Sequence, residues 1–126
     1  MSVLDASALL SYLLDEAGAE AVQEALSGRA WIGAVNLAEV LTKLADAGQE
    51  PEEAMTGIMI LGIDVSVFDE NLAVATARLR PLTVRAGLSL GDRACLALGR
   101  LHRQPVLTAD AAWLGLVPDL EIRVIR

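Results

Sequence analysis

The chain has 126 residues, enough for one domain with a substantial core and too few for two ordinary ones. It is 54% hydrophobic but only 3% aromatic, so aliphatic side chains must build that core, and no apolar run approaches the length of a membrane span. Its net charge of −7 and single cysteine argue against a generally basic nucleic-acid binder, an internal disulfide and a cysteine-rich metal cluster.

In chain order, "SVL" (2–4) reads as a short strand and "ASALLSYLLDEAG" (6–18) as a helix with Leu9, Leu10, Leu13 and Leu14 on one side. "AEAVQEALSG" is a second helix stopped by Gly28, and "AWIGA" is a strand. "VNLAEVLTKLADAG" is an amphipathic helix, its apolar face set by Leu37, Val40, Leu41 and Leu44. "PEEAMTGIMILG" opens with proline and acids, as helices do. "IDVSVF" is a strand, after which Asp69 caps "ENLAVATARLR", and "PLTVRAG" reads as a connection. Ser89 opens "SLGDRACLALGRLH", a helix apolar nearly all round, with Leu90, Ala94, Ala97, Leu98 and Leu101 on one stripe. "PVLTAD" is a strand, "AAWLGL" a helical turn and "EIRVIR" a last strand. Strands alternating with helices predict an α/β domain, a central parallel sheet flanked by helices, over residues 1–126.

Charge is unevenly spread. Residues 1–70 carry 13 acids against Arg29 and Lys43, whereas residues 71–126 carry eight arginines against four acids. Arginine's planar fork suits phosphate, so Arg78, Arg80, Arg85 and Arg93 are candidate contacts to a nucleic-acid backbone. The start "MSVLDAS" lacks the basic and apolar segments of a signal peptide, which with the lone Cys95 suggests a cytoplasmic protein free of the membrane.

Three acids fall where an α/β sheet places its ligands, outside the carboxyl ends of the strands. Asp5 follows "VL", Asp110 follows "VLTA", and Asp92 stands at a helix start. Each has a structural alternative: Asp5 and Asp110 can cap helices, and Ser89 with Asp92 has the spacing of a capping box. Carboxylates converging on one rim repel one another and call for a cation. Mg²⁺, which takes oxygen ligands and keeps waters, is the natural one. Glu39 reads, from pattern alone, as a surface acid paired with Lys43 one turn on. Cys95 and His102 lie seven residues apart on one helix, roughly 10 Å along its axis, too far for a nucleophile and its base. Trp31 and Trp113 read as packing residues.

"VLDASALLSYLL", "NLAEVLTKL", "GLSLGDRACLALG" and "VLTADAAW" resemble, in order and spacing, the four signature segments of PIN-domain ribonucleases, and more narrowly of VapC-type toxins from bacterial type II toxin–antitoxin systems. The resemblance implies a PIN-like three-layer fold and an acidic quartet of Asp5, Glu39, Asp92 and Asp110 as catalytic, metal-holding residues. It adds Thr108 and Asn36 as supporting polar positions beside the last acid and before Glu39, and Ser7 is a further hydroxyl at the start of the first helix. It implies cleavage of single-stranded RNA with Mg²⁺ or Mn²⁺, a metal-activated water attacking the phosphodiester. It also implies a homodimer and a cognate VapB-like antitoxin. Two other readings compete: a non-catalytic interaction module of the same fold, and a phosphoacceptor receiver domain. The receiver domain needs adjacent early acids and a late lysine, whereas Asp5 is followed by Ala6 and the only lysine is Lys43.

Overall fold

The computed structural model describes residues 1–126. The elements are β1 (Ser2–Leu4), α1 (Ala6–Leu13), α2 (Ala19–Ser27), β2 (Ala30–Gly33), α3 (Ala34–Asp46), α4 (Pro51–Ile60) and β3 (Asp64–Ser66), then α5 (Glu70–Arg78), α6 (Arg80–Thr83), α7 (Leu90–His102), β4 (Val106–Thr108), a 3-10 turn (Ala111–Trp113) and β5 (Ile122–Val124). The five strands form one parallel sheet in the order β3-β2-β1-β4-β5. The chain builds outward from β1 to β3, then returns to the other side of β1 for β4 and β5. The order therefore reverses between β1 and β4, the place where open α/β sheets carry their ligands.

Alternation along the strands divides the core in two. Leu4, Ile32 and Leu107 pack on one face with Leu9, Val22, Val40 and Ile58 from α1 to α4. Val3 and Val106, one residue earlier in β1 and β4, pack on the other face with Leu72 of α5, Cys95, Leu96 and Leu98 of α7, and Trp113. A strand turns successive side chains to opposite faces, so this two-sided core is what the expected three layers require.

Three details depart from the sequence reading. The segment 81–87 is not a plain connection: its first residues belong to α6, whose Pro81 sits in the first turn. The first helix stops at Leu13, with Asp15 and Gly18 both at positive φ before α2. On α7 the buried run is Ala94–Gly99, whereas Leu90 and Leu101, expected to share the apolar stripe, are more than half exposed.

Candidate metal centre at the carboxyl rim of the sheet

Asp5 directly follows β1 and caps α1, accepting from Ala8 N at 2.7 Å. The residue is only 4% exposed. Ser7 Oγ donates to both carboxylate oxygens, at 2.7 and 2.9 Å, and Thr108 Oγ1 donates to Oδ2 at 2.7 Å. Both hydroxyls are held in turn by the chain leaving β4: Ala109 N donates to Ser7 Oγ (2.9 Å) and Asp110 N to Thr108 Oγ1 (3.1 Å). The ends of β1 and β4 are thus stitched together across the switch point through one buried acid. Ser7 and Thr108 orient Asp5.

Asp110 caps the 3-10 turn after it, accepting from Ala112 N at 2.9 Å. Asp92 sits in the capping box that its spacing suggests: its Oδ2 accepts from Ser89 N at 3.0 Å, while Ser89 Oγ accepts from Asp92 N at 3.1 Å. The cap engages Oδ2 and leaves Oδ1 without a hydrogen bond, so capping and a second role are compatible.

Glu39 is held differently from the expected Lys43 pair, which is not closed to an ion pair. The buried Asn36 amide donates to Glu39 Oε1 at 3.2 Å and to the Gly91 carbonyl of α7 at 3.0 Å, tying α3, α7 and the acid together. Asn36 Oδ1 is buried with no partner. One cleft of about 170 Å³ is lined by Asp5, Ser7, Asn36, Glu39, Asp92 and Asp110, with Lys43 and Trp113 completing its wall. From sequence, Lys43 reads as a surface partner and Trp113 as packing. Trp113 is indeed buried, and both border the acids. Nothing in the local pattern marks Lys43, because its place depends on where α7 meets α3. Larger hollows of 490 and 610 Å³ lie elsewhere and contain none of the four acids.

The electrostatics are those of crowded acids. Burial pushes the Asp5 carboxyl above the usual range, against the hydrogen bonds from Thr108, Ser7 and Ala8, and the charge on Asp92 adds to the rise. Glu39 is raised by burial, then by Asp92 and Asp5, with Asn36 and Lys43 opposing. The Cys95 thiol is pushed up by burial and by the same three acids, and such a thiol is no nucleophile. No three of these side chains stand close enough together to hold a metal ion between them. The donor set nonetheless fits a hard divalent cation: oxygen only, mutually repelling, with a free oxygen on Asp92 and an unpartnered amide oxygen on Asn36.

The arginines separate into two groups. Arg78, Arg80 and Arg85 are exposed, and Arg78 shares a cleft between α5 and α7 with Arg100 and Arg103. Arg93 is half buried and donates from Nη1 to the Thr76 carbonyl at 3.1 Å, with its Nε buried and unpartnered. It fastens α7 to α5 and presents less of its guanidinium to solvent than the other three. None of the acids at the rim is ion-paired to an arginine.

Four acids around one cleft at the switch point of a parallel α/β sheet define the class of site. The sequence matches the PIN domain model over residues 2–115, and the chain belongs to that family. No curated protein matches it. Among solved structures the fold is similar to a toxin–antitoxin complex from Klebsiella pneumoniae, with 20% identity, TM-score 0.78, and coverage of 100% of this chain and 98% of that one. It is also similar to VapBC2 from Rickettsia felis bound to a promoter DNA fragment, at 13% identity and TM-score 0.74 over 97% and 96% of the two chains. DNA-bound VapBC from Salmonella typhimurium gives 18% identity and TM-score 0.72, again over 97% and 96%.

Proposed function

We propose that this protein is a Mg²⁺-dependent endoribonuclease toxin of the VapC type, with Mn²⁺ able to substitute, acting on single-stranded RNA in the cytoplasm. The observation that carries the reading is the meeting of Asp5, Glu39, Asp92 and Asp110 around one cleft with no ion-paired side chain to neutralise them. When bound, the cation would activate water and offset charge on the phosphoryl group. The chain's own contribution is placement. Ser7 and Thr108 fix Asp5, the Ser89 cap fixes Asp92, Asn36 fixes Glu39, and the 3-10 turn fixes Asp110. In the net reaction the water oxygen bonds to phosphorus as the bond to the 3′-oxygen breaks. The 3′-oxygen takes up a proton, leaving 5′-phosphate and 3′-hydroxyl ends. Lys43 at the cleft wall offers an ammonium to a phosphate oxygen, and Arg78, Arg80 and Arg85 are exposed to take the flanking backbone.

The same reading includes a cognate VapB-like antitoxin and a homodimer. Support comes from the solved complexes of similar fold and from exposed apolar side chains such as Met59, Ile60 and Val67, of which Ile60 is 80% exposed. No helix is long and apolar enough to cross a membrane. The deciding experiment is cleavage of a mixed-sequence RNA with and without metal. Mg²⁺ or Mn²⁺ should support cleavage, EDTA should abolish it, and Ca²⁺ should bind without turnover, because its looser shell orients water poorly. Cleavage that persists in EDTA overturns the mechanism. RNA that stays intact with every metal leaves a PIN-fold interaction module.

A further inference from the structure

We propose that Gly91 is a positioning residue for Glu39, a bare spot on α7 that lets the Glu39 carboxylate reach the cleft. Gly91 is buried in the first turn of α7, where glycine is a poorer helix former than alanine. Its backbone gives no reason for the choice: Gly48, Gly62, Gly87 and Gly115 sit at positive φ with open space around them, whereas Gly91 is not in the left-handed region. What it does have is a neighbour. A Cβ placed on Gly91 would overlap Oε1 of Glu39 outright and stand 2.9 Å from its Cδ, inside any real contact distance. The Asn36 amide bridges the Gly91 carbonyl and Glu39 Oε1, so the acid lies against this stretch of backbone by a specific contact.

The outcome of such a collision depends on which partner can yield. The α7 backbone is fixed by the Ser89 cap and the Asn36 bond, while the Glu39 carboxylate is the far end of a flexible side chain. A methyl group at position 91 would therefore swing Glu39 out of the cleft, sever its bond to Asn36 and leave the helix intact. The glycine costs helix stability and preserves the geometry of the rim. The functional consequence rests on the proposed metal centre, whereas the displacement itself does not.

The test is Gly91→Ala alone, Glu39→Ala alone, and the pair. Gly91→Ala should melt at or above the wild-type temperature without metal. Calorimetric Mn²⁺ affinity should fall about tenfold or more, as when a ligand loses its orienting partner. The double variant should bind Mn²⁺ no worse than Glu39→Ala, because both changes remove the same ligand. A crystal structure of metal-free Gly91→Ala should show Glu39 detached from Asn36. Glu39 left in place in that structure overturns the inference, as do multiplying losses in the double variant. A wild-type protein that binds no Mn²⁺ overturns the metal centre instead, and the crystal structure alone then decides Gly91. Should Gly91→Ala fail to fold, refolding by added Glu39→Ala upholds the collision, and failure to refold overturns it.

Discussion

Asp5, directly after β1, and Asp64, the first residue of β3, stand at two strands of one sheet and are treated in opposite ways. Asp64 opens β3 in solvent, where an acid needs no partner, yet Arg29 Nε donates to it at 2.8 Å and Trp31 Nε1 at 3.2 Å. The Arg29 guanidinium, bonded to it and opposite in charge, holds its carboxyl below the usual range. Asp5 is buried, where an unpaired charge is costly, yet it receives only neutral donors and the repulsion of neighbouring acids. A chain able to neutralise a surface acid leaves its buried one without a cation. The arrangement makes sense when the cation comes from outside the chain. Under the proposed metal centre the absence of arginine from the rim has a reason: a guanidinium there would compete with the cation.

Removing one rim charge tests this contrast most severely. Asp92→Asn keeps the side chain's shape and its capping ability, since asparagine caps helices well. RNA cleavage should fall about 100-fold or more, beyond the loss typical of residues that only support a metal's ligands. Circular dichroism should show a folded protein. Because Asp92 raises both Asp5 and Glu39, the metal-free melting temperature should equal or exceed that of wild type. An active Asp92→Asn protein would reduce Asp92 to its capping box and break the contrast.

The next effect is smaller and falls on the neutral donors. Thr108→Val preserves volume but removes the donor to Asp5 Oδ2 and the acceptor for Asp110 N. Cleavage should drop about 10- to 100-fold, the range for support of a metal ligand. Thr108 lowers the Asp5 carboxyl, so its loss should move the acid limb of the pH–activity profile to higher pH. Thr108→Ser should restore both. A Thr108→Val profile superimposable on wild type would mean that Ser7 and Ala8 suffice to hold Asp5.

The arginines come third. Replacing Arg78, Arg80 and Arg85 with glutamine should flatten the salt dependence of RNA binding, by about 0.7 in the log–log slope for each phosphate no longer neutralised. Fluorescence anisotropy over a salt series measures it. Arg93→Gln should instead lower the melting temperature, since that side chain reaches the Thr76 carbonyl. An unchanged slope in the triple variant would remove these three residues from the RNA path.

Much of this was legible from residues alone, for local reasons. Asp5, Asp69, Asp110 and Ser89 each cap the helix or turn that begins at the next residue, because short polar side chains before an apolar run satisfy free helix amides. Three of the rim acids could be found because each either ends a strand or opens a helix. Long-range contacts hid the rest. Glu39 has Asn36 and Lys43 at equally plausible helical spacings, and the approach of α7 at Gly91 favours Asn36. Arg93 looks like its exposed neighbours until α5 is packed against it. Leu90 and Leu101 continue the apolar stripe of α7 beyond the layer that buries it.

The smallest effect is a difference in sign. Asp5 has a raised folded carboxyl, so the folded state binds its proton more readily than the unfolded chain, whose ordinary value is 3.8. That preference stabilises the metal-free protein fully below 3.8 and is lost as pH rises through the raised value. Asp64 is lowered, so its contribution is present above 3.8 and is lost as pH falls through the depressed value. Asp5→Asn should therefore gain on wild type in thermal melts as pH rises above 3.8, its advantage levelling off once Asp5 is ionised in the folded protein. Asp64→Asn should track wild type across that range, with a small constant deficit, and converge on it only in stronger acid. The exposure of the Arg29 pair keeps the second effect small, and 0.5 M salt should shrink it further. The buried Asp5 effect should survive the same salt, screened far less. Parallel melting curves for the two variants would mean that the two acids do not differ in kind.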